Sequence, residues 1–288
     1  MRKKIEVGVI NVTMHPHSPE RYIQLFKAAR QLDVSVHLFS TSWAELTDVH
    51  EVGKNKDKVK PIYGDIYKYI NFDKNADWFN KETKQHATEE ELEGTKAIEH
   101  LRPGSTRFTF IFYPMQHLIV YSQYEDKKNL TPKLATEFFN KLLNDPRLRE
   151  EFGEVNVTHQ PEENVVDEII KLPSKRKLEM TITRPNALKE AERKFLKIMN
   201  KRKIQKIEET LHAAPDESIE VDEELEQSIK IAAKYGHVKA NGKNEKDERV
   251  TIDTNDTPFS AKDYYDDKNF TAMDALRGLA ETVLDKFR

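Results

Sequence analysis

Alternating apolar and polar residues mark strands in the first part of the chain. Residues 5–13 and 34–39 alternate in this way, which predicts two strands with one buried face each. Between them, Ser18, Pro19 and Glu20 have the order of an N-cap, a first-turn proline and a first-turn acid, and apolar residues follow at helical spacing. Residues 5–39 are therefore predicted to form a β-α-β unit.

The same mixture of patterns continues to residue 184. The strands predicted after the first unit are 61–70, 107–113, 117–122, 155–158 and 178–183. Helices are predicted to start at Thr131 and to span residues 164–172. Strands interleaved with helices predict an α+β fold, with a mixed sheet and helices mainly on one face. We expect residues 1–184 to form this sheet domain, either as one unit or as two β-α-β-type halves at 1–80 and 105–184.

Residues 185–288 are predicted to form a second domain of long charged helices, a hairpin and a final helix. Pro185 ends the strand 178–183, and Asn186 is predicted to cap a helix whose apolar spacing continues to Leu211. The elements predicted after it are a helix over 225–235, a hairpin of 236–242 with 249–254, and an amphipathic helix over 270–287.

Charge is distributed unevenly along the chain. Residues 171–206 contain thirteen lysines and arginines and three glutamates, a net charge of +10, whereas the whole chain has a net charge of −3. Seven acidic residues follow within 216–226. Basic side chains concentrated on one helix can neutralise phosphates. Few aromatic residues lie among them, which favours contact with a duplex backbone over stacking on single-stranded bases.

We therefore predict a surface that binds the backbone of duplex DNA with little sequence readout. The predicted contact residues are Lys175, Arg176, Lys177, Arg184, Lys189, Arg193, Lys194, Lys197, Lys201, Arg202 and Lys203. The alternative is a solvated helix face that pairs with an acidic partner, or with the acidic segment 216–226 of the same or a sister chain. In that case the chain is an interaction or oligomerisation subunit that does not bind DNA.

Composition excludes several other classes of protein. The chain has no cysteine, which excludes disulfides, thiolate zinc sites and cysteine nucleophiles and favours a reducing cytosol. No apolar run has the roughly 20 residues of a membrane helix, and residues 5–13 are too short and too polar for the core of a signal peptide. We expect a cytoplasmic protein without a membrane partner. Glycine is scarce and no phosphate-binding loop is present, so no cofactor is predicted.

The histidines give only a weak signal for a metal site. His15 and His17 flank Pro16 and could share a metal ion, but no acidic or thiol partner is nearby in sequence. An ordinary exposed loop is therefore favoured, and no metal site is predicted. Three further histidines lie in or beside predicted strands and are interpreted as hydrogen-bonded structural residues; they are His37, His117 and His159.

A catalytic signature is also lacking. The tripeptide Glu125-Asp126-Lys127 follows a strand and resembles half of a metal-dependent nuclease motif, but so short a motif often arises by chance. No nucleophile with a neighbouring base is recognisable. A nuclease is therefore kept as a third hypothesis, and the chain is expected to act without catalysis.

Short sequence segments in the second half of the chain resemble a known group of proteins. Residues 177–186 read KLEMTITRPN, residues 235–243 read YGHVKANGK and residues 249–254 read RVTIDT, with a long charged helix after the first phrase. This order resembles the second half of RexA/KwaB-like phage-exclusion and defence proteins, and residues 62–80 extend the likeness. The resemblance implies a cytoplasmic, dimeric, nucleic-acid-binding component of an anti-phage system, with a co-encoded defence partner. It supplies no catalytic residues.

Overall fold

The computed structural model describes residues 2–53, 59–71, 77–93, 100–125, 127–186 and 189–287. The strands in these ranges are β1 (Arg2–Met14), β2 (Ser35–Phe39), β3 (Ser42–Glu51), β4 (Ile62–Ile70), β5 (Phe79–Asn80), β6 (Gln85–His86), β7 (Thr106–Tyr113), β8 (Leu118–Ser122), β9 (Tyr124–Glu125), β10 (Lys128–Asn129), β11 (Val155–His159), β12 (Ser174–Thr183), β13 (Lys206–His212), β14 (Gly236–Lys243), β15 (Arg249–Asp253) and β16 (Ser260–Asp266).

Helices connect many of these strands. They are α1 (Pro19–Gln31), α2 (Glu89–Glu93), α3 (Pro132–Leu143), α4 (Pro146–Phe152), α5 (Glu163–Lys171), α6 (Glu190–Arg202), α7 (Glu223–Tyr235) and α8 (Ala272–Lys286). Several begin as the sequence predicts, because Ser18 and Thr131 each accept a hydrogen bond from the backbone N–H three residues on. Thr271 and Asp274 form a capping box at the start of α8. None of the helices in the described ranges is long and apolar enough to cross a membrane.

In the part of the chain that the structure describes, the larger sheet has eight strands, and all of its strand pairings are antiparallel. Its order is β11-β1-β8-β7-β4-β3-β2, and β16 also pairs with β1. Strand β1 is central: residues 10–14 pair with β11 and residues 2–8 pair with β16 along the same side, while β8 pairs on the other side. The last strand of the chain therefore completes the sheet that the first strand begins.

The smaller sheet has four strands in the order β13-β12-β14-β15, again antiparallel. Its buried face carries Leu178, Met180 and Ile182 of β12, which pack with residues of α5 and α7. Alternate residues of a strand point to opposite faces, so the other face of this sheet carries Lys177, Glu179 and Thr181.

Helices cover both faces of the larger sheet. Side chains of α1 and α3, such as Phe26 and Phe139, pack on one face with Phe110 and Phe112 of β7. Helix α8 packs on the other face through Leu276 and neighbouring apolar residues. The α+β class is confirmed, and most of the predicted elements are present. The mixed sheet with helices mainly on one face is wrong in detail, because the described strand pairings are antiparallel and helices cover both faces.

Several predicted details differ from the structure. The helix predicted from Asn186 to Leu211 is wrong in extent, because α6 begins after Lys189 and ends at Arg202. Lys203 has a left-handed backbone (φ 57°), which stops the helix, and the residues after it form β13 along β12. Asn186 does not cap α6; its side chain is buried and donates to the carbonyl of Val12 at 3.2 Å.

Strand pairing also departs from the predicted organisation. The first β-α-β unit does not pair its two strands, since β2 lies at the far edge of the sheet next to β3. Strands β3 and β16 were not predicted from the sequence. The boundary predicted at residue 184 lies inside the smaller sheet, between β12 and its partner β13, while β16 and α8 return to the larger sheet.

Candidate functional site

Helix α6 lies on the buried face of the smaller sheet. Ala191 and Phe195 pack against the apolar cluster of that sheet, and Glu192 and Met199 are buried. Residues three and four positions apart share one face of a helix. The opposite face of α6 is therefore turned away from the protein and is not covered by any described residue.

Four of the predicted contact residues occupy this outer face. With 3.6 residues per turn, Arg193, Lys194, Lys197 and Lys201 fall within an arc of about 100°, and all four are exposed. We call these four residues the α6 basic face. Three of them repeat every fourth position, so their Cα atoms are about 6 Å apart along the helix axis and span about 12 Å.

The α6 basic face keeps most of its charge unpaired. Lys194 lies 3.4 Å from Glu190, but both side chains are more than 70 % exposed, so this pair contributes little. Arg193, Lys197 and Lys201 form no ion pair with any residue that the structure describes. The α6 basic face is therefore available to an external anion.

Three further predicted residues lie near the ends of the same helix. Lys189 precedes α6 and provides its N-cap, and Lys203 follows it in the left-handed conformation. Arg202 is in the last turn, on the side of the helix away from Arg193. All three side chains are exposed.

The remaining predicted residues do not join this surface. Lys175 is only 6 % exposed, and its Nζ donates to the carbonyls of Ile170 (3.0 Å) and Leu172 (2.7 Å) at the end of α5. Lys177 projects from the opposite face of the sheet and lies 2.9 Å from Glu179. The eleven predicted residues therefore occupy more than one surface, because the strand β12 turns its side chains alternately to two faces.

Arg176, within β12, and Arg184, directly after it, also have hydrogen-bond partners. Arg176 is exposed, and its guanidinium donates to the backbone carbonyl of Glu217. Arg184 is half-buried, and its guanidinium donates to the side-chain oxygen of Asn200 on α6. Among the described residues, no ion pair joins the α6 basic face to the acidic segment 216–226. The acidic segment of the same chain therefore does not neutralise this helix.

A second polar region lies where the two sheets meet. Lys234 on α7 donates to Glu192 on α6 at 2.8 Å, and the side chains of Asn11 and Gln160 donate to the backbone carbonyl of Lys234. Tyr235 is 1 % exposed, and its hydroxyl interacts with the carboxylate of Glu192. The junction between the sheets is thus built from polar contacts in a buried position.

Three histidines gather at this junction, and we call His15, His17 and His117 the histidine cluster. The ring centroid of His17 lies 5.7 Å from that of His15 and 5.2 Å from that of His117. His117 comes from the turn between β7 and β8, where its backbone is left-handed (φ 61°). Sequence spacing gave no sign of this meeting, because 100 residues separate His17 from His117 and only the fold joins them.

The histidine cluster contains unsatisfied polar atoms. His117 is 3 % exposed, and the Nδ1 atoms of His17 and His117 have no hydrogen-bond partner among the described residues. The interpretation of His117 as a hydrogen-bonded structural residue is therefore wrong. A buried polar group without a partner costs about 1–3 kcal/mol, and the ring contacts of His117 with His17 and Tyr22 are the packing that accompanies this cost.

Burial also sets the protonation of these rings. It lowers the pKa of His117 to about 3 and holds the pKa of His15 and of His17 below the ordinary value. All three imidazoles are therefore neutral at pH 7. The other two histidines interpreted as structural have partners, since His37 Nε2 lies 2.8 Å from the carbonyl of Ser40 and His159 bonds to the backbone of Thr254.

The half-motif of a nuclease lies at the end of β9 and in the turn after it. Glu125 ends β9 and Lys127 adopts a left-handed turn conformation (φ 62°), whereas Asp126 lies outside the described residues. No group of three histidine, aspartate or glutamate side chains in the described ranges is arranged to hold a metal ion. The nuclease hypothesis thus gains no geometric support from these residues.

Comparison with known proteins places the chain in a family without assigning an activity. No curated protein matches the sequence. A family described as a domain of unknown function (DUF4747) matches residues 3–281, which include both sheets, the α6 basic face and the histidine cluster. The chain therefore belongs to the DUF4747 family.

Proposed function

We propose that this protein binds the phosphate backbone of duplex DNA through the α6 basic face, without sequence readout and without catalysis. The observation that carries the proposal is the unpaired charge of Arg193, Lys197 and Lys201 on one exposed helix face. Cations that are already extended into solvent can neutralise phosphates without first breaking internal ion pairs. Lys189, Arg202 and Lys203 extend the positive potential to both ends of the helix.

A duplex fits this face better than a single strand does. Phe195 is the aromatic residue of α6, and it packs inward against the apolar cluster of the smaller sheet. The face therefore has no aromatic side chain on which an unpaired base could stack, and stacking provides much of the affinity for single strands. A regular row of cations about 12 Å long instead matches a backbone that carries regularly spaced charge.

The proposed setting is an anti-phage defence or phage-exclusion system in the cytoplasm. This part of the proposal depends on the likeness of residues 177–186 and 235–254 to RexA/KwaB-like proteins. DNA binding stands on the geometry of α6 and can be tested without reference to that setting.

The test is the salt dependence of binding to a labelled 30-base-pair duplex. If the α6 basic face neutralises four phosphates, a plot of the logarithm of the association constant against the logarithm of the salt concentration should have a slope of about −3.6. Replacing Arg193, Lys194, Lys197 and Lys201 together by glutamate should abolish binding. A labelled single strand and an RNA duplex, measured at the same two salt concentrations, define the preferred nucleic acid.

A matched control separates this surface from a general effect of charge. Lys133, Arg149, Lys246 and Lys268 are exposed on other elements, and replacing them by glutamate changes the net charge by the same amount. That variant should keep most of the wild-type affinity. Equal affinities of the two variants, or an unchanged affinity of the α6 variant, would reject the proposed interface.

A second candidate function is an interaction subunit whose α6 basic face meets an acidic partner. The favouring observation is that Asp216, Glu217 and Glu220 are exposed and do not pair with α6 of the same chain. They are therefore free to meet α6 of a sister chain. Light scattering after size exclusion at low and high salt tests for such a dimer. A dimer that dissociates at high salt and does not bind DNA would support the second candidate over the first.

A further inference from the structure

A cavity of about 450 Å³ opens beside the junction between the two sheets, and we call it the junction pocket. Its lining comes from the loop after β11, from α5 and α7, from the end of α8 and from the residue that precedes α6. Its size lies within the range of about 300–1,000 Å³ that is usual for small-molecule sites. No residue of the α6 basic face or of the histidine cluster lines it.

Positive charge enters the junction pocket from α7, from α8 and from the start of α6. Among the described residues, the lysines in the lining are Lys189, Lys230, Lys234 and Lys286. Lys234 is committed to the buried carboxylate of Glu192. Lys230 has only an exposed ion pair with Glu226, and Lys286 forms no ion pair with any described residue. Exposed pairs contribute little to stability, so Lys230 and Lys286 can turn to an anion in the pocket at little cost.

An aromatic surface forms another part of the lining. Phe259, before β16, and Phe287, after α8, meet edge to face with ring centroids 5.1 Å apart. Phe259 is buried, whereas Phe287 is half-buried and keeps part of its ring open. The Nζ atom of Lys286 lies 5.5 Å from the ring centroid of Phe259, which places a cation beside the aromatic surface. A flat ring that stacks there therefore has an ammonium group next to it.

Negative charge enters the junction pocket only from the segment that begins α5. The acidic residues that this segment contributes to the described lining are Glu162, Glu163 and Asp167. Glu162 accepts a hydrogen bond from the backbone N–H of Ser260 at 3.0 Å, which fixes its position. Glu163 is exposed and forms no ion pair with any described residue. These carboxylates accept hydrogen bonds from hydroxyl and amino groups and repel anions. A matching ligand therefore carries its negative charge at one end and hydrogen-bond donors at the other.

We propose that the junction pocket binds a free nucleoside monophosphate. The base stacks on Phe287, the phosphate meets Lys230 and Lys286, and the hydroxyl or amino groups donate to Glu162 and Glu163. A phosphate monoester carries a charge of about −1.5 to −2 at pH 7, which two ammonium groups can neutralise. Acidic side chains also bind ribose hydroxyls in dinucleotide sites. Inorganic phosphate alone would leave the aromatic surface and the carboxylates unused.

The test is calorimetric titration of the full chain with AMP, GMP, CMP and UMP. We expect one nucleotide to bind per chain for at least one of the four. The corresponding nucleoside, which lacks the phosphate, and ribose 5-phosphate, which lacks the base, should each bind at least about 10-fold more weakly. Failure of all four nucleotides to bind, or equal affinities for the nucleotide and its nucleoside, would overturn the proposal.

Two variants locate the nucleotide in the pocket. Lys286→Glu places a negative charge at the phosphate end, and Phe287→Leu removes the stacking surface but keeps an apolar side chain. Each should weaken binding of the nucleotide by about 10-fold or more. The matched controls Lys268→Glu and Phe270→Leu alter exposed side chains outside the lining and should keep the wild-type affinity. Wild-type affinity in both pocket variants would show that the nucleotide binds elsewhere.

Nucleotide binding and DNA binding can be separated by experiment. Circular dichroism checks that each variant is folded, and if Phe287→Leu does not fold, Lys286→Glu decides, because it alters an exposed side chain. The variant in which all four residues of the α6 basic face are replaced by glutamate should keep its affinity for the nucleotide, since none of them lines the junction pocket. Loss of nucleotide binding in that variant would show that the phosphate binds α6 instead, and would overturn the proposal.

Discussion

The ammonium group of Lys234 on α7 donates a 2.8 Å hydrogen bond to Oε1 of Glu192 on α6. The side chain of Glu192 is 4 % exposed, and that of Lys234 is 21 % exposed. The other oxygen of Glu192 accepts from the backbone N–H of Lys189 at 3.0 Å. One carboxylate thus fixes both the start of α6 and its position against α7, and so supports the helix that carries the α6 basic face.

Removing one partner of this pair should destabilise the protein strongly. Lys234→Met leaves the carboxylate of Glu192 buried and unpaired, and we expect the free energy of unfolding to fall by about 3 kcal/mol. The double variant Lys234→Met/Glu192→Leu should recover much of the loss, because neither charge then remains. Urea denaturation measures both changes.

The matched control for this pair is Lys230→Met, which breaks the exposed pair with Glu226 on the same helix. It should change stability by less than about 1 kcal/mol. Equal losses in Lys230→Met and Lys234→Met would show that burial of the Lys234–Glu192 pair is not important.

Acid should destabilise the protein partly through His117. Burial lowers the pKa of this histidine from 6.5 to about 3, so the unfolded chain binds a proton more readily than the native protein does. This contribution to stability is complete above pH 6.5 and is lost as the pH falls from 6.5 towards 3, at up to about 1.4 kcal/mol per pH unit.

Urea denaturation between pH 7 and pH 5 tests this effect. His117→Gln should make stability less dependent on pH over that range. The dependence should not vanish, because burial also lowers the pKa of His15, of His17 and of His159. An unchanged dependence in His117→Gln would contradict the assignment.

Lys175 should contribute to stability and not to DNA affinity. Its ammonium group donates to the carbonyls of Ile170 and Leu172, and hydrogen bonds from charged groups contribute about 1.5–3 kcal/mol. We expect Lys175→Met to lower the free energy of unfolding by an amount in that range. Lys171→Met, which removes an exposed lysine four residues earlier, should have little effect on stability.

The DNA affinity of the two variants separates the two roles of Lys175. Lys175→Met and Lys171→Met should bind the duplex equally well at a given salt concentration. A selective loss of affinity in Lys175→Met, with normal folding, would show that this side chain leaves its buried position to contact a phosphate.

Two glycines should respond in opposite directions to replacement by alanine. A Cβ atom at Gly236 would lie 1.9 Å from the backbone oxygen of Thr181, so Gly236→Ala must push β14 away from β12. We expect a loss of about 3 kcal/mol. Gly278 lies within α8, and apart from its chain neighbours and the backbone of its own helix no described atom would lie within 4 Å of its Cβ, so Gly278→Ala should stabilise the protein by about 0.5–1 kcal/mol. Thermal unfolding of both variants measures the contrast, and a stable Gly236→Ala protein would show that the strands tolerate a wider separation.

The region around Lys203 shows why the sequence predicts one helix where the structure has a helix and a strand. Ile207 and Leu211 are four residues apart, and this spacing places two side chains on one face of a helix and equally on one face of a strand. The turn that separates α6 from β13 depends on a left-handed lysine, whereas glycine or asparagine would have marked the end of the helix. The charged face of α6 itself was predictable, because it depends only on local spacing.

Other features depend on contacts between distant parts of the chain. Strand β16 contains charged residues and lacks an apolar alternation, and it becomes a strand because it pairs with β1. Likewise, His117 lies in the turn between β7 and β8, and only the fold brings it into contact with His17. Lys175 has the same local charge as Arg176, yet a register shift in β12 turns the first side chain into the protein and the second into solvent.

The pairing of β1 with β16 has a consequence for the order in which the chain assembles during synthesis. Residues 174–253 contain all four described strands of the smaller sheet in one continuous segment, so that sheet needs no strand from a distant part of the chain. The larger sheet must wait for residues 260–266, and until they emerge the backbone of residues 2–8 stays unpaired along one edge. We therefore expect the half of the protein that is translated first to be the half that finishes folding last, with a need for chaperone protection in the interval.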